Sequence, residues 1–406
     1  MSMSRQVGLG SATALVVASM IGTGVFTTSG FLLADLKSPW LVLLVWLLGG
    51  VLATLGALSY GALARRIPES GGEYIFLSKT LHPQAGHVAG WLSLLVGFSA
   101  PLAAGSFAFG EYTKTWLPGL TPKLTGSMLL LTFSVVHALH VQRGVWVQNA
   151  AVLLKVLLIA LFAGLAVARL PGLPPVAAGE FHAGTFAVSL VWVSFSYAGW
   201  NTAVYIGGEV RDPERNLPLA LLLGTLLVTV LYLALNAVFV FSAPMEQLAG
   251  KLEVGRLAAG ALGGRIWAEA FSALIAIGLL SFVSSMVFAG PRICARMAGD
   301  GYLPCWLAGH DGPPRTAIAL QSGLALVFLW SASYQTLLSF IGFTLNLCTA
   351  ATVLGLIRLR RREGVSFKVP GWPWVPALFL TGVLVISGLM LLNITLPAWR
   401  KVFGLE

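Results

Sequence analysis

The chain has 406 residues, 57% of them hydrophobic and only 10% charged, where an ordinary soluble domain is about 25% charged. That balance excludes a water-soluble fold of this size. The formal net charge of +10 is scattered over the ends of apolar runs instead of gathering on one polar face, so it reads as topogenic loops, and no nucleic-acid partner is expected.

Taken in chain order, the apolar runs predict eleven membrane-spanning helices, near 9–34, 40–64, 85–110, 124–141, 145–168, 185–208, 217–242, 267–297, 317–333, 335–357 and 374–396, because roughly 18 or more consecutive apolar residues mark a span. The first run is too long and too interrupted by glycine for a cleavable signal peptide, so it is expected to stay as a span. Within it, SMIGTGVF (19–26) sets Gly22 and Gly24 around Thr23, about thirteen residues or roughly 20 Å of helix from its start. Glycines weaken a helix by about 1 kcal/mol each, and freed backbone groups at mid-bilayer depth are tolerated only beside protein or a water-filled cavity. A broken helix is expected there, the competing reading being close helix packing through small residues.

Between the second and third runs, PESGGEYIFLSKTL (68–81) is amphipathic and is expected to lie on the cytoplasmic membrane surface. His137 and His140 lie three apart on the fourth run with no third ligand nearby in sequence, so no metal site is expected. Lys155, in AVLLKVLLIALF, falls about ten residues or roughly 15 Å into the fifth run, the centre of a hydrocarbon core about 30 Å thick. A charge there costs roughly 2.5–3.5 kcal/mol on the lenient insertion scale, and the side chain is too short to snorkel out. It must face the protein interior, as a proton site, a fixed substitute for a bound cation, or a structural ammonium on broken-helix carbonyls.

The sixth run carries SFSYAGWNTAVYIGGEVRDPERNLP (194–218), with Ala198 and Gly199 near its middle and small or polar residues on both sides. Glu209, Arg211, Asp212, Glu214 and Arg215 at its end read as a salt-bridged gate or a solvated turn. Cys294, Cys305 and Cys348 form no C-x-x-C pair, so neither a disulfide nor a cysteine-based metal site is expected. With a cytoplasmic N-terminus, fifteen of the 25 Lys and Arg residues fall inside and nine outside, Lys155 standing apart; the cluster RLRRR (358–362) weighs most in that orientation.

The two expected breaks lie five helices apart. An odd-numbered repeat whose first helix is broken enters the membrane in opposite directions in its two copies, here about 9–168 and 185–357, with an extra helix at about 374–396. That is the inverted-repeat plan of many secondary transporters. Half-helix N-termini offer N–H groups to an anion and the opposite ends offer carbonyls to a cation, which suits an amino acid zwitterion. The fold expected is thus an all-α polytopic membrane protein with a five-plus-five inverted-repeat core and broken helices one and six. A channel or receptor-like protein would need a continuous polar stripe, and a membrane enzyme would need converging catalytic groups. Neither pattern is visible, and no cofactor is expected.

Four segments carry a family resemblance: ASMIGTGVF (18–26), RRIPESGGEY (65–74), FSYAGWNTAVYIGGEVRDPERNLPLA (195–220) and GPRICARMAGDGYLPCWL (290–307). Through them the chain resembles the amino acid, polyamine and organocation permeases, most of all the L-type amino acid transporter branch and its bacterial relatives. The resemblance implies sodium-independent movement of neutral L-amino acids across a cell membrane, by proton coupling or exchange, with a polyamine or cationic amino acid exchanger as the alternative. It implies a carboxylate-binding break at Gly22, Thr23 and Gly24, lined by Met20 and Ile21. It also implies a gating aromatic at Phe195, a second break at Ala198 and Gly199, and a polar substrate contact at Asn201. Lys155 matches the lysine that replaces a sodium ion in this branch, with Ser281, Ser284 and Ser285 as candidate partners. Most members have twelve spans and this chain is expected to have eleven. Segment 111–123 lacks the cysteine that links animal L-type members to a glycoprotein, so no covalent heavy-chain partner is expected. A bacterial inner membrane is the expected location.

Overall fold

The computed structural model describes residues 7–139, 144–172, 181–308 and 313–403, with side chains left undescribed over 144–151 and 394–403. Arg5, His140 and Arg143 lie outside the described residues. Helix occupies every one of the apolar runs, and the described residues form no sheet, only a single parallel bridge between Val7 and Val210. This follows from the solvent: inside a bilayer each backbone N–H and C=O needs a partner within the chain, and a helix supplies it within one segment.

The first run divides into α1 (Leu9–Met20) and α2 (Gly24–Leu36), followed by α3 (Pro39–Arg66) and the short α4 (Glu73–Thr80). Ser38 caps α3 by accepting from the Leu41 amide, with Pro39 at the first helical position, where its missing N–H is harmless. The third run is α5 (Pro83–Leu92), a π-helical stretch at Ser93–Ser99, and α6 (Ala100–Thr113); π segments inside helices frequently sit at functional sites. There follow α7 (Pro122–Leu139), α8 (Gly144–Val167) and α9 (Ala183–Tyr197) with a 3-10 helix at Thr202–Glu209. The chain continues through α10 (Pro213–Phe241), α11 (Met245–Leu248), α12 (Val254–Gly299), α13 (Arg315–Ser331), α14 (Tyr334–Glu363) and α15 (Trp374–Phe403).

Among the described residues eight helical stretches are long and apolar enough to cross a membrane, and α13 and the described part of α8 are shorter apolar helices. The protein is a multi-pass membrane protein. α12 is interrupted at Gly264, φ +70°, a conformation open mainly to glycine, so residues 254–263 form a short helix of their own and the span follows the break, close to the expected start at 267. One expectation changes. Segment 68–81 does not simply lie on the surface: Glu69 and Lys79 pair on its exposed side, but Glu73, Tyr74, Ile75, Phe76, Leu77 and Thr80 of α4 are buried. Gly71 at φ +134° and Gly72 at φ +58° turn the chain inward just before it.

α10 lies along α3 and α1, α6 packs against α7 and α12, and α14 and α15 flank α9. The halves of the first and sixth runs are enclosed by these helices. Of all described Asp, Glu, Lys and Arg residues, only Glu73 and Lys155 are fully buried, at 3% and 5% exposure. Each stands beside one of the two breaks.

Candidate functional site

The first break is three residues long. α1 ends at Met20, the Gly22 amide turns back to Met20 O at 2.7 Å, and α2 starts at Gly24 with no side-chain cap. The turn frees carbonyls on one side and amides on the other. The carbonyls are taken: Tyr232 Oη donates to Met20 O, and Lys155 Nζ donates to Ile21 O at 3.0 Å. Of the first amides of α2, Phe26 N turns back to Thr23 O at 3.1 Å, while those of Gly24 and Val25 lack helical acceptors, and the Thr23 hydroxyl beside them is buried without a partner.

The second break begins after Tyr197. Ala198 is extended, with ψ 143°, and Gly199 takes φ +102°, after which the chain resumes as the 3-10 helix. Thr202 closes the turn by donating its hydroxyl to Gly199 O at 2.7 Å. The breaks touch. A Cβ on Gly199 would lie 2.7 Å from the Ser19 carbonyl carbon, and one on Gly24 would lie 2.3 Å from Ser196 Oγ. Tyr232 Oη also lies 3.1 Å from Ser196 O, so one hydroxyl spans the last turns of α1 and α9.

A cavity opens between the breaks. Met20, Gly22, Thr23, Gly24, Phe195, Ala198, Gly199 and Asn201 all line it, so the structure brings together nearly every substrate contact expected from the sequence. Ile21 does not line it; its carbonyl faces away, to Lys155. Two of the serines expected around Lys155 are engaged elsewhere: Ser284 Oγ pairs with His137 Nε2 at 2.9 Å and Ser285 Oγ donates to Phe282 O at 2.8 Å. The aliphatic stem of Lys155 passes Gly278 instead, where a Cβ would sit 3.4 Å from Lys155 Cδ.

Beyond the cavity, on the side away from the N-terminus, aromatic rings pack across the helices as a seal. Phe31 stands edge-on to Trp192, with centroids 6.1 Å apart, and tilts on Tyr334 at 6.3 Å; Phe107 covers Tyr334 from α6 at 6.0 Å. Trp192 Nε1 donates to Ser339 Oγ at 2.8 Å, and the Tyr334 and Thr27 hydroxyls pair at 2.8 Å. Phe195 lies one helical turn inside this seal, at 6% exposure.

A family model for amino acid permeases matches residues 7–403. The chain belongs to the amino acid permease family. Over 99% of its length the permease is 27% identical to the b(0,+)-type amino acid transporter 1 of Mus musculus, covering 85% of that protein. It is 29% identical to the Asc-type amino acid transporter 1 of Homo sapiens, over 89% of the chain and 72% of the relative. It is 28% identical to the large neutral amino acids transporter small subunit 2 of Mus musculus, over 89% and 71%. Its activity is amino acid transport, not catalysis.

Sequence reasoning missed several cavity residues: Glu73, Phe98, Tyr205, Phe282, Asn346 and Thr349. Asn346 Nδ2 is buried with no partner, which leaves a donor directed at whatever fills the cavity. Glu73 had a signal in its two preceding glycines, since a Gly-Gly pair permits the inward turn that an amphipathic surface helix does not need.

Proposed function

We propose that this permease carries neutral L-amino acids by alternating access, without sodium, with its N-terminus on the cytoplasmic side of a bacterial inner membrane. The substrate would place its carboxylate at the free amides of α2 and the Thr23 hydroxyl, and its ammonium toward the carbonyl ends of the breaks. Phe195 would close over it and open with the aromatic seal above. Residues 9–168 and 185–357 would act as two repeats of opposite orientation rocking about the site, with α15 outside them. The proposed partner is the small-molecule substrate alone within the bilayer, with no covalent heavy chain.

The single observation that carries the sodium-independent reading is the Lys155 ammonium on Ile21 O, at 3.0 Å. A cation bound at the same carbonyl would lie within roughly 4 Å of a fixed positive charge, and at an effective dielectric of 20 that repulsion is about 4 kcal/mol. Such a penalty lowers sodium affinity about a thousandfold. The test is uptake into proteoliposomes of one labelled amino acid, with unlabelled competitors and with choline in place of sodium. Full uptake in choline, inhibited by small or large neutral amino acids, is the expected result; a strict sodium requirement would overturn it. A second reading, a cationic amino acid or polyamine exchanger, is favoured by Glu73 on the cavity wall. Competition by arginine or putrescine stronger than by alanine or leucine would select it.

A further inference from the structure

Glu73 is a buried acid that the binding of a zwitterion at the two breaks leaves unused. Its carboxylate is held by three side-chain donors from two other parts of the fold. Tyr60 Oη of α3 donates to Oε1 at 3.1 Å, Asn201 Nδ2 at the second break donates to the same oxygen, and Tyr205 Oη of the 3-10 helix donates to Oε2. Each partner is neutral. The titratable groups that neighbouring elements turn toward it are Tyr60, Tyr205 and, from α14, the Cys348 thiol. Lys155, the other buried charge, is committed to Ile21 O behind the first break.

The same stretch of chain grips the 3-10 helix at further points. Gly208 N donates to Ser70 Oγ at 3.0 Å, and the Tyr205 ring rests so closely on Gly72 that a Cβ there would lie 2.3 Å from it. At its end the 3-10 helix is tied to the N-terminus, Val7 N donating to Glu209 O and Arg211 N to Val7 O. Asn201, Thr202 and Tyr205 of this stretch line the cavity, and Glu73 is its charged anchor. Hydrogen bonds to an ionised acceptor are roughly twice as strong as neutral ones. A proton on Glu73 removes that charge and weakens all three contacts together.

We propose that Glu73 is a positioning residue for transport, a proton-operated latch whose ionised form holds Asn201 and the 3-10 helix closed and whose protonated form lets them swing away and open the cavity to the N-terminal face. The inference rests on the alternating-access reading above. Glu73 lines the cavity, so water entering there delivers the proton and no other group must relay it. Burial raises its proton affinity above that of an ordinary carboxylate, against the pull of its three donors, which moves the latch's response toward neutral pH.

The test is exchange of a labelled amino acid in proteoliposomes with equal pH on both sides, so that no proton gradient drives uptake. If opening limits turnover, the wild-type rate should rise about tenfold between pH of roughly 7.5 and 5.5, equivalent to about 1.4 kcal/mol in the latch equilibrium. Glu73→Gln, which imitates the neutral acid, should run at the acid rate across that range with KM little changed, and Glu73→Asp should restore a pH-dependent rate. Tyr205→Phe, which removes one donor and no charge, should speed exchange at neutral pH and move the midpoint to higher pH; it decides the matter if Glu73→Gln does not fold. A wild-type pH profile retained in Glu73→Gln or in Tyr205→Phe overturns the latch. Loss of arginine or putrescine competition in Glu73→Gln, with the pH profile intact, also overturns it and makes Glu73 a subsite for a cationic side chain. A wild-type protein that moves no amino acid at any pH sinks the transport reading itself, whereas transport with an unaltered variant profile sinks the latch alone.

Discussion

The two broken helices sit at matching places in the chain and meet across one cavity, yet they are completed by opposite charges. At the first break a cation and a hydroxyl answer the carbonyls: Lys155 and Tyr232 occupy Ile21 O and Met20 O. At the second break an anion answers a side chain: Glu73 accepts from Asn201 and Tyr205, while the backbone closes on itself through Thr202. The difference concerns which partner carries the charge. At the first break it lies on the donor, the Lys155 ammonium, and the acceptor is a neutral backbone carbonyl. At the second it lies on the acceptor, the Glu73 carboxylate, and under the latch proposed above a proton there releases side chains of the 3-10 helix.

Four substitutions bear on that contrast, and the largest effect is expected where the breaks touch. Gly24→Val puts a branched side chain where even a Cβ lies 2.3 Å from Ser196 Oγ and 2.6 Å from its Cα. Relief requires the breaks to part, so substrate binding should fall by more than about 100-fold, in the 1–3 kcal/mol range of overpacking or beyond it. Binding of alanine or leucine unchanged in the folded variant, measured by equilibrium displacement, would show that contact between the breaks is not needed.

Next comes Lys155→Met, which keeps the bulk and removes the ammonium. It forfeits a charged hydrogen bond of about 1.5–3 kcal/mol, and the first break should lose its fixed shape. Turnover should fall about tenfold or more in a protein that still purifies as a single species. Wild-type turnover in this variant would reduce the lysine to a packing residue and remove the contrast between the breaks.

Phe195→Ala tests the space between them. The ring lines the cavity one turn inside the Trp192–Phe31–Tyr334 seal, so its loss should slow transport about tenfold while equilibrium affinity stays within about threefold. Equal losses in both would identify simple packing.

The smallest effect is expected from Tyr232→Phe. The hydroxyl spans Met20 O and Ser196 O, and removing it withdraws the bridge between the two while Met20 O keeps the Gly22 amide, a loss of about 1 kcal/mol. Thermal unfolding in detergent should shift down by a few degrees with substrate preference intact; a changed preference order would mean that this bridge shapes the pocket as well.

The positions of the breaks were legible in the residues themselves. Gly22 and Gly24, and Ala198 and Gly199, are small or conformationally free residues within apolar runs, and helix weakening is a local property that needs no knowledge of neighbours. Lys155 was legible for the same kind of reason, since lipid excludes an ammonium at mid-span and only the protein interior remains. Which atoms these residues meet was not. Lys155 pairs with a carbonyl 134 residues earlier in the chain, while Ser284 and Ser285 of the eighth run pair elsewhere. The helical period of segment 68–81 separates an apolar face from a polar one but does not reveal whether the polar face meets water or the protein's own cavity. Gly71 and Gly72 allow the turn that carries Glu73 inward, and only the packed bundle, by holding Tyr60, Asn201 and Tyr205 at the end of that turn, makes a buried carboxylate tolerable there.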